Sequence, residues 1–197
     1  EVQVWLGERL HAVAYPVRSG AWMNLVVLAE LQAGSPGAKK QDPADWDQQA
    51  DLAALLAAIA NRCDGVFPLI EAMPAWRPWQ LNDRPPLAGP GEMVQGRIAL
   101  LGDAAHPMLP YLAQGAGMAI EDAVALADRV GGASAEDLPI AFARYAAARW
   151  QRNARVQARS HRNGQVFHAN GARRVARDAA LRVLGAHLLD NPWLYEG

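Results

Sequence analysis

The residues best suited to chemistry lie between Gly102 and Asp122, in the stretch GDAAHPMLPYLAQGAGMAIED. Asp103 follows a short apolar run, Ile98 to Leu101, and Gly115-Ala116-Gly117 opens a helical pattern further on. Pro107 and Pro110 put a turn between the two. A helix start carries N–H groups with no intrahelical partner, and its dipole favours negative charge. Glycines there let a flat or anionic group approach the backbone. An acidic residue at the end of a strand accepts hydrogen bonds from hydroxyls, as it does on ribose. One end of the stretch therefore suits a polyol, and the other suits a group that becomes negative.

A strand, a turn and a helix must hold these residues. Ile98 to Leu101 has the length of a fully buried strand. The helix runs from Gln114 to Gly131-Gly132, with Met118, Ile120, Val124 and Leu126 on or near one face. Upstream, Val2, Val4 and Leu6 alternate, Gly7-Glu8 makes a turn, and His11 to Val17 is a second strand with Val13 and Tyr15 on one face. Arg18 to Ala21 turns again and Trp22 to Leu31 is a third strand, so an antiparallel meander is expected. One of its faces would be buried and the other would line a pocket. Tyr15 is a candidate for that pocket, with plain packing as the alternative.

Gly34 to Gln41 reads as a loop, and Asp42-Pro43 as the cap of a helix over Trp46 to Asn61 striped by Leu52, Leu55, Leu56 and Ile59. Cys63 after it reads as an inert buried thiol. Trp76 to Leu81 reads as a strand or extended edge, and Arg84 to Gly96 as a connector. Ser134 and Asp137 form a capping pair for a helix that reaches His161 or beyond. A last helix, Arg173 to Ala186, uses Val175, Leu181 and Leu184 as its apolar stripe, and Asn191-Pro192 ends it.

The bounds exclude several function classes. The 197 residues make one domain or parts of two, and 51% of them are hydrophobic, enough for a core. The net charge of −1 predicts no polyanion partner. Arg152, Arg155, Arg159 and Arg162 share a helix face, but no nucleic-acid motif accompanies them. They read as a solvated face, or as partners for acids on the missing part of the protein. A single cysteine rules out an internal disulfide framework and fits a reducing compartment, so a cytoplasmic location is expected. No apolar run is long enough to span a membrane. The histidines form no metal-binding pattern, with His161 and His168 read as solvated, and no serine sits in a GxSxG elbow.

A flavin has both of the groups this stretch suits: a ribityl chain, and an N1–C2=O edge that is negative when reduced. Gly102-Asp103-Ala104-Ala105-His106-Pro107, then Pro110, Gly115-Ala116-Gly117 and Glu121-Asp122-Ala123, resemble the second flavin motif of the single-component flavoprotein aromatic hydroxylases. The branch most similar is the salicylate hydroxylase-like one. Ala14-Tyr15-Pro16-Val17-Arg18 with Asn24-Leu25-Val26-Val27 resembles that family's substrate-domain strands. Asp83-Arg84-Pro85-Pro86-Leu87, Arg144-Tyr145 to Arg149, Arg162-Asn163-Gly164 and Trp193-Leu194-Tyr195 extend the similarity over nearly the whole chain.

The resemblance implies an α/β fold: an antiparallel substrate-domain sheet plus the C-terminal part of a Rossmann-like FAD domain, followed by long helices. Residues 1–90 would belong to the substrate-binding domain, 91–132 to the FAD domain, and 133–197 to the C-terminal helices. The family's N-terminal GxGxxG element is absent, so the chain is expected to be the C-terminal part of a longer protein. The missing N-terminal half would be its partner, and exposed apolar surface would favour association, with a homodimer as one form. The resemblance places Asp103 on the ribityl hydroxyls, with Gly102 and Pro107 also at the cofactor. It aims the amides of Gly115, Ala116 and Gly117 at the pyrimidine edge. Pro107 to Tyr111 would lie beside the isoalloxazine ring, with Pro110 and Tyr15 bordering the substrate. Pro110, His106 and Tyr111 are the catalytic candidates, His106 being read as a part of the turn ahead of a general base. Asp122 reads as a helix-surface or supporting residue. The implied reaction uses FAD, NADH or NADPH as transient reductant, and O2, and hydroxylates a small, salicylate-like aromatic substrate, with the fragment alone expected to be inactive. The competing readings are a non-catalytic truncated binding module, a related flavin hydroxylase acting on a quinone-pathway or other non-salicylate substrate, and an interaction protein that works through the arginine helix.

Overall fold

The computed structural model describes residues 1–30, 52–60, 63–185 and 192–195. It is α/β, as expected, and divides into two compact units, Glu1–Gln80 with Gln165–Asn191 and Leu81–Gly164 with Pro192–Gly197. The loop over Gly34 to Gln41, the Asp42-Pro43 cap and the early part of the helix after it lie outside the described residues.

In the first unit, β1 (Gln3–Leu6), β2 (Leu10–Val17) and β3 (Trp22–Ala29) form the antiparallel meander, in the order β1-β2-β3. The β1–β2 turn is tight: Gly7 N–H donates to the Leu10 carbonyl at 2.8 Å, and Arg9 takes φ 51° to close it. Alternation sends Leu10 and Ala12 to one face, where they pack with Ile59 of α1 (Leu52–Ile59) and Ile70 of α2 (Phe67–Ala72). Cys63 is partly buried against the same core. Trp76 to Leu81 forms no strand among the described residues; the Trp76 indole packs on this core and donates to the Ile70 carbonyl at 3.2 Å.

The opposite face carries His11, Val13 and Tyr15. Tyr15 is half-buried, and its hydroxyl accepts a hydrogen bond from Asn24 Nδ2, its cross-strand neighbour, at 2.6 Å. His168, read as solvated, is buried instead. It shares a hydrogen bond with His11, Nε2 to Nδ1 at 2.9 Å, and its Nδ1 lies 2.9 Å from Glu30 Oε1. After the long helix α4 (Leu138–Phe167), Gly171 at φ +51° starts α5 (Gly171–Leu184). The stripe expected to bury α5 does not: Val175 and Leu184 are exposed, and Arg177 is the buried residue. Its guanidinium donates to the carbonyls of Phe167 at 2.7 Å and Val166 at 3.3 Å, satisfying the open C-terminus of α4. Helical period alone does not show that a polar side chain holds this face.

Burial, and after it the adjacent His168, push the His11 imidazole down to about 4. That lies below its unfolded value of about 6.5. The stability it contributes is therefore present above about pH 6.5 and lost as pH falls toward 4. Denaturant unfolding between those pH values should show a loss of up to about 3 kcal/mol. His11→Gln should flatten the profile; equal slopes in the two proteins would exclude His11 as the cause.

In the second unit, β4 (Val94–Gln95) and β5 (Ile98–Ala99) form a hairpin turned by Gly96 at φ +55°. The expected strand from Ile98 to Leu101 is thus short, and Ile98 is 61% exposed rather than buried. A buried parallel strand needs neighbours on both edges, and β4 is the one ladder partner of β5 among the described residues. Ser134 and Asp137 do form their capping pair, Asp137 N–H donating to Ser134 Oγ at 3.3 Å, immediately before α4. Between the two lies α3 (Gly115–Val130). Its buried residues are Met118 and Asp122, while Ile120 and Val124 face outward at 66% and 58% exposure. The helix is thus rotated from its expected orientation, with a carboxylate turned inward.

Candidate functional site

Gly102 sets the site. It takes φ +55°, and a Cβ built on it would lie 3.0 Å from the Cβ of Ala119. Any larger residue would push the turn off α3. The Gly102 carbonyl accepts the N–H groups of Ala105 and His106, both at 2.9 Å, which tightens the turn. Asp103 is left exposed beside the start of α3, its Oδ1 3.8 Å from where a Gly115 Cβ would stand.

That helix start is open. Gln114 precedes it with no side-chain cap, and the first turn contains no acidic residue. The first intrahelical bond runs from Met118 N–H to the Gln114 carbonyl at 2.9 Å. The N–H groups of Gly115, Ala116 and Gly117 therefore precede the helical ladder, on a backbone where two of three residues have no side chain. Among the described residues no side chain caps these amides, although Gln114 Oε1 stands 3.3 Å from where a Gly117 Cβ would lie. A carboxylate and a row of amides outside the ladder thus lie side by side, one suited to hydroxyls and the other to an anionic edge.

Behind this surface lies a buried polar cluster. Asp122 accepts from His106 Nε2 at 2.6 Å, Arg149 Nε at 2.8 Å, Asn153 Nδ2 at 3.0 Å and the Gly102 amide at 3.2 Å. Burial works to raise its carboxyl, but these donors outweigh it and hold the group well below the usual carboxylate range. Burial, with Asp122 nearby, pushes the Tyr145 phenol up, and its hydroxyl donates to the Leu100 carbonyl at 3.0 Å. Glu121, next to Asp122, meets Arg149 at 2.8 Å and is gripped by Arg152 at 2.7 and 2.8 Å. Hydrogen bonds from Arg152 come first among the causes that lower the Glu121 carboxyl.

The turn after His106 is held by α4. Gln157 Nε2 donates to the Pro107 carbonyl at 3.1 Å, Ser160 Oγ to Leu109 at 2.5 Å and Asn163 Nδ2 to Tyr111 at 3.3 Å. The Tyr111 ring lies on Gly164, where a Cβ would come within 2.6 Å of its Cε2.

Gly102, Asp103, Pro107, Pro110, Tyr111, Gly115, Ala116 and Gly117 all belong to the second unit. Tyr15 belongs to the first. His106 is fully buried, with Nε2 on Asp122, so its ring supports the turn from behind. Asp122 is likewise internal, not a helix-surface residue. His161, read as solvated, is half-buried and lies 2.8 Å from Asp83. The arginine stripe divides: Arg152 finds its acid, Glu121, in this chain, and Arg155 stacks 3.9 Å over the Trp193 ring. Sequence reasoning missed Asn153, Gln157 and Ser160, and it met Arg149 and Asn163 only as part of the resemblance, with no role at the site. The available signal was polar side chains three and four apart along α4, on the face next to the arginines. No group of three metal-ligating residues occurs among the described residues, and no helix there is long and apolar enough to cross a membrane.

Comparison with known proteins gives concordant results. The family described as FAD binding domain matches residues 38–160. Among curated relatives, 3-hydroxybenzoate 6-hydroxylase 1 of Aquipseudomonas alcaligenes is 39% identical over 168 residues, covering 85% of this chain and 39% of its own. Salicylate hydroxylase of Pseudomonas putida is 36% identical over 169 residues, covering 84% of this chain and 38% of its own. A solved salicylate hydroxylase substrate complex superposes with a TM-score of 0.77 at 29% identity, over 100% of this chain and 47% of that one. The chain thus spans less than half the length of each.

Proposed function

The chain belongs to the FAD binding domain family, among the flavoprotein aromatic hydroxylases, and from that premise we propose that it is the cofactor-edge and substrate part of an FAD-dependent monooxygenase acting on a small hydroxybenzoate-like aromatic. The observation that carries this reading is the exposed Asp103 carboxylate beside an uncapped helix start. The site's own features fit a flavin: amides with no side-chain cap among the described residues, glycines at 115 and 117, and an exposed carboxylate at 103.

In this reading Asp103 accepts hydrogen bonds from the ribityl hydroxyls. The amides of Gly115, Ala116 and Gly117 hold the pyrimidine edge and favour its negative form, with little reorganisation because α3 already fixes their direction. Gly102 lets the turn press against α3. Pro107, Pro110 and Tyr111 border the ring and exclude water where the aromatic substrate sits. His106 holds the turn from within, and Tyr15, half-buried on the meander face it shares with His11 and Val13, is the substrate contact that the first unit offers. FAD supplies the redox and O2 chemistry, drawing its electrons from NADH or NADPH. By role, residues 1–90 serve substrate binding, 91–132 serve the flavin and 133–197 support both.

The test is direct. Protein expressed from the gene's complete reading frame should purify with flavin absorbance. It should oxidise NADH or NADPH faster when salicylate or a hydroxybenzoate is added, and yield a hydroxylated product. Neither bound flavin nor stimulated oxidation would overturn the reading.

A further inference from the structure

The turn from Pro107 to Tyr111 has no ladder of its own. Prolines at 107 and 110 each remove an N–H donor, and the segment itself lies in no helix or strand. Such a turn would ordinarily be among the looser parts of a fold. Here three of its carbonyls, those of Pro107, Leu109 and Tyr111, accept hydrogen bonds from one helix.

The donors Gln157, Ser160 and Asn163 stand three residues apart on α4, and Gly164 adds a flat spot on the same face for the Tyr111 ring. Gln157 and Ser160 are fully buried. Gln157 also fixes its amide by accepting from Leu87 N–H at 3.0 Å, so its donor is aimed before the turn arrives. Apolar residues would pack this face as well. Burying polar groups is unfavourable unless each is paired, and these are paired to the turn's backbone.

We propose that Gln157, Ser160, Asn163 and Gly164 form a latch that sets the height and tilt of the Pro107–Tyr111 turn. They are positioning residues that orient the aromatic substrate against the flavin. The second half of this statement rests on the proposed function. The latch acts on backbone carbonyls, so it fixes the turn whatever side chains the turn presents. Its loss frees the turn without removing any group that touches the cofactor.

The experiment compares Ser160→Ala, Asn163→Ala and Gly164→Ala with the unsubstituted protein, all made from the complete reading frame. Hydrogen exchange is followed at the amides of Tyr111, Leu112 and Ala113, with those of α3 as reference. Loss of one latch bond, or displacement of the Tyr111 ring by the Cβ of Gly164→Ala, should speed exchange in the turn about tenfold and leave α3 unchanged. Product formed per NADH or NADPH oxidised should fall about twofold or more, at unchanged flavin content, because a misplaced ring is not reached. Ser160→Thr, which keeps the hydroxyl, should restore both values.

Unchanged exchange in all three variants would overturn the latch. Faster exchange with an unchanged product ratio would overturn its role in orienting substrate. An unsubstituted protein without flavin or turnover would overturn the functional reading. The exchange measurement would then decide the latch by itself, upheld by acceleration confined to the turn and overturned by none.

Discussion

Replacing Asp122 with alanine should destabilise the protein by about 3–5 kcal/mol, the usual cost of removing one partner from a buried charged pair. The carboxylate is fully buried and accepts from four donors on two segments, the Gly102–His106 turn and α4. Without it the Arg149 guanidinium faces a dry cavity, His106 loses its partner, and the Gly102 amide is unsatisfied. Each loss adds to the same penalty, since desolvated donors cannot be rehydrated in place. Asp122→Asn should also be costly, because its amide nitrogen meets donors where a carboxylate oxygen had met them. Glu121→Gln provides the contrast. That carboxylate is one-third exposed, and its pairs with Arg149 and Arg152 should cost about 1 kcal/mol or less to break. Urea unfolding of the three variants measures this. An Asp122→Ala loss below about 1 kcal/mol would show that the cluster does not hold the unit together.

The same cluster explains what was legible in the sequence. The meander was, because alternation in β2 and β3 and the turn residues at Gly7 and Gly20 act locally. So were the ends of α3, since Gly115 and Gly131 are punctuation that needs no tertiary context. The orientation of α3 was not. Its apolar residues mark one face, but Asp122 turns inward because donors from α4, twenty-seven and thirty-one residues away, neutralise it. Only tertiary pairing makes that burial affordable. The run from Ile98 to Leu101 misled for a related reason: its composition is that of a strand covered on both faces, and the cover is not supplied by the described residues. For the candidate site, the residue types at Asp103 and Gly115 to Gly117 suggested a ligand edge, and the geometry puts them side by side. The support behind them was not visible. Arg149, Asn153, Gln157 and Ser160 read as one more polar helix until the carbonyls and the carboxylate they serve are in place.

Asp103→Ala should separate binding from stability. The carboxylate is exposed, and its contribution to the fold is its favourable position near the start of α3, worth about 0.3–1 kcal/mol at low salt. Unfolding of the variant should therefore match the unsubstituted protein within about 1 kcal/mol. Flavin affinity should fall much further. Hydrogen bonds to a charged group are worth about 1.5–3 kcal/mol, which corresponds to about a 10- to 100-fold weaker dissociation constant. Asp103→Asn should fall between the two, since it keeps one acceptor without the charge. Flavin fluorescence titration of the protein from the complete reading frame, after removal of bound cofactor, reads the affinity. The pairing of results carries the argument. A large affinity loss at constant stability puts the carboxylate on the ligand. Affinity weakened less than about threefold would mean that Asp103 does not grip the sugar-alcohol chain, since that is below the value of one net hydrogen bond. A parallel fall in stability and affinity would instead make Asp103 a cap for α3, and the helix start would then be occupied by the protein itself.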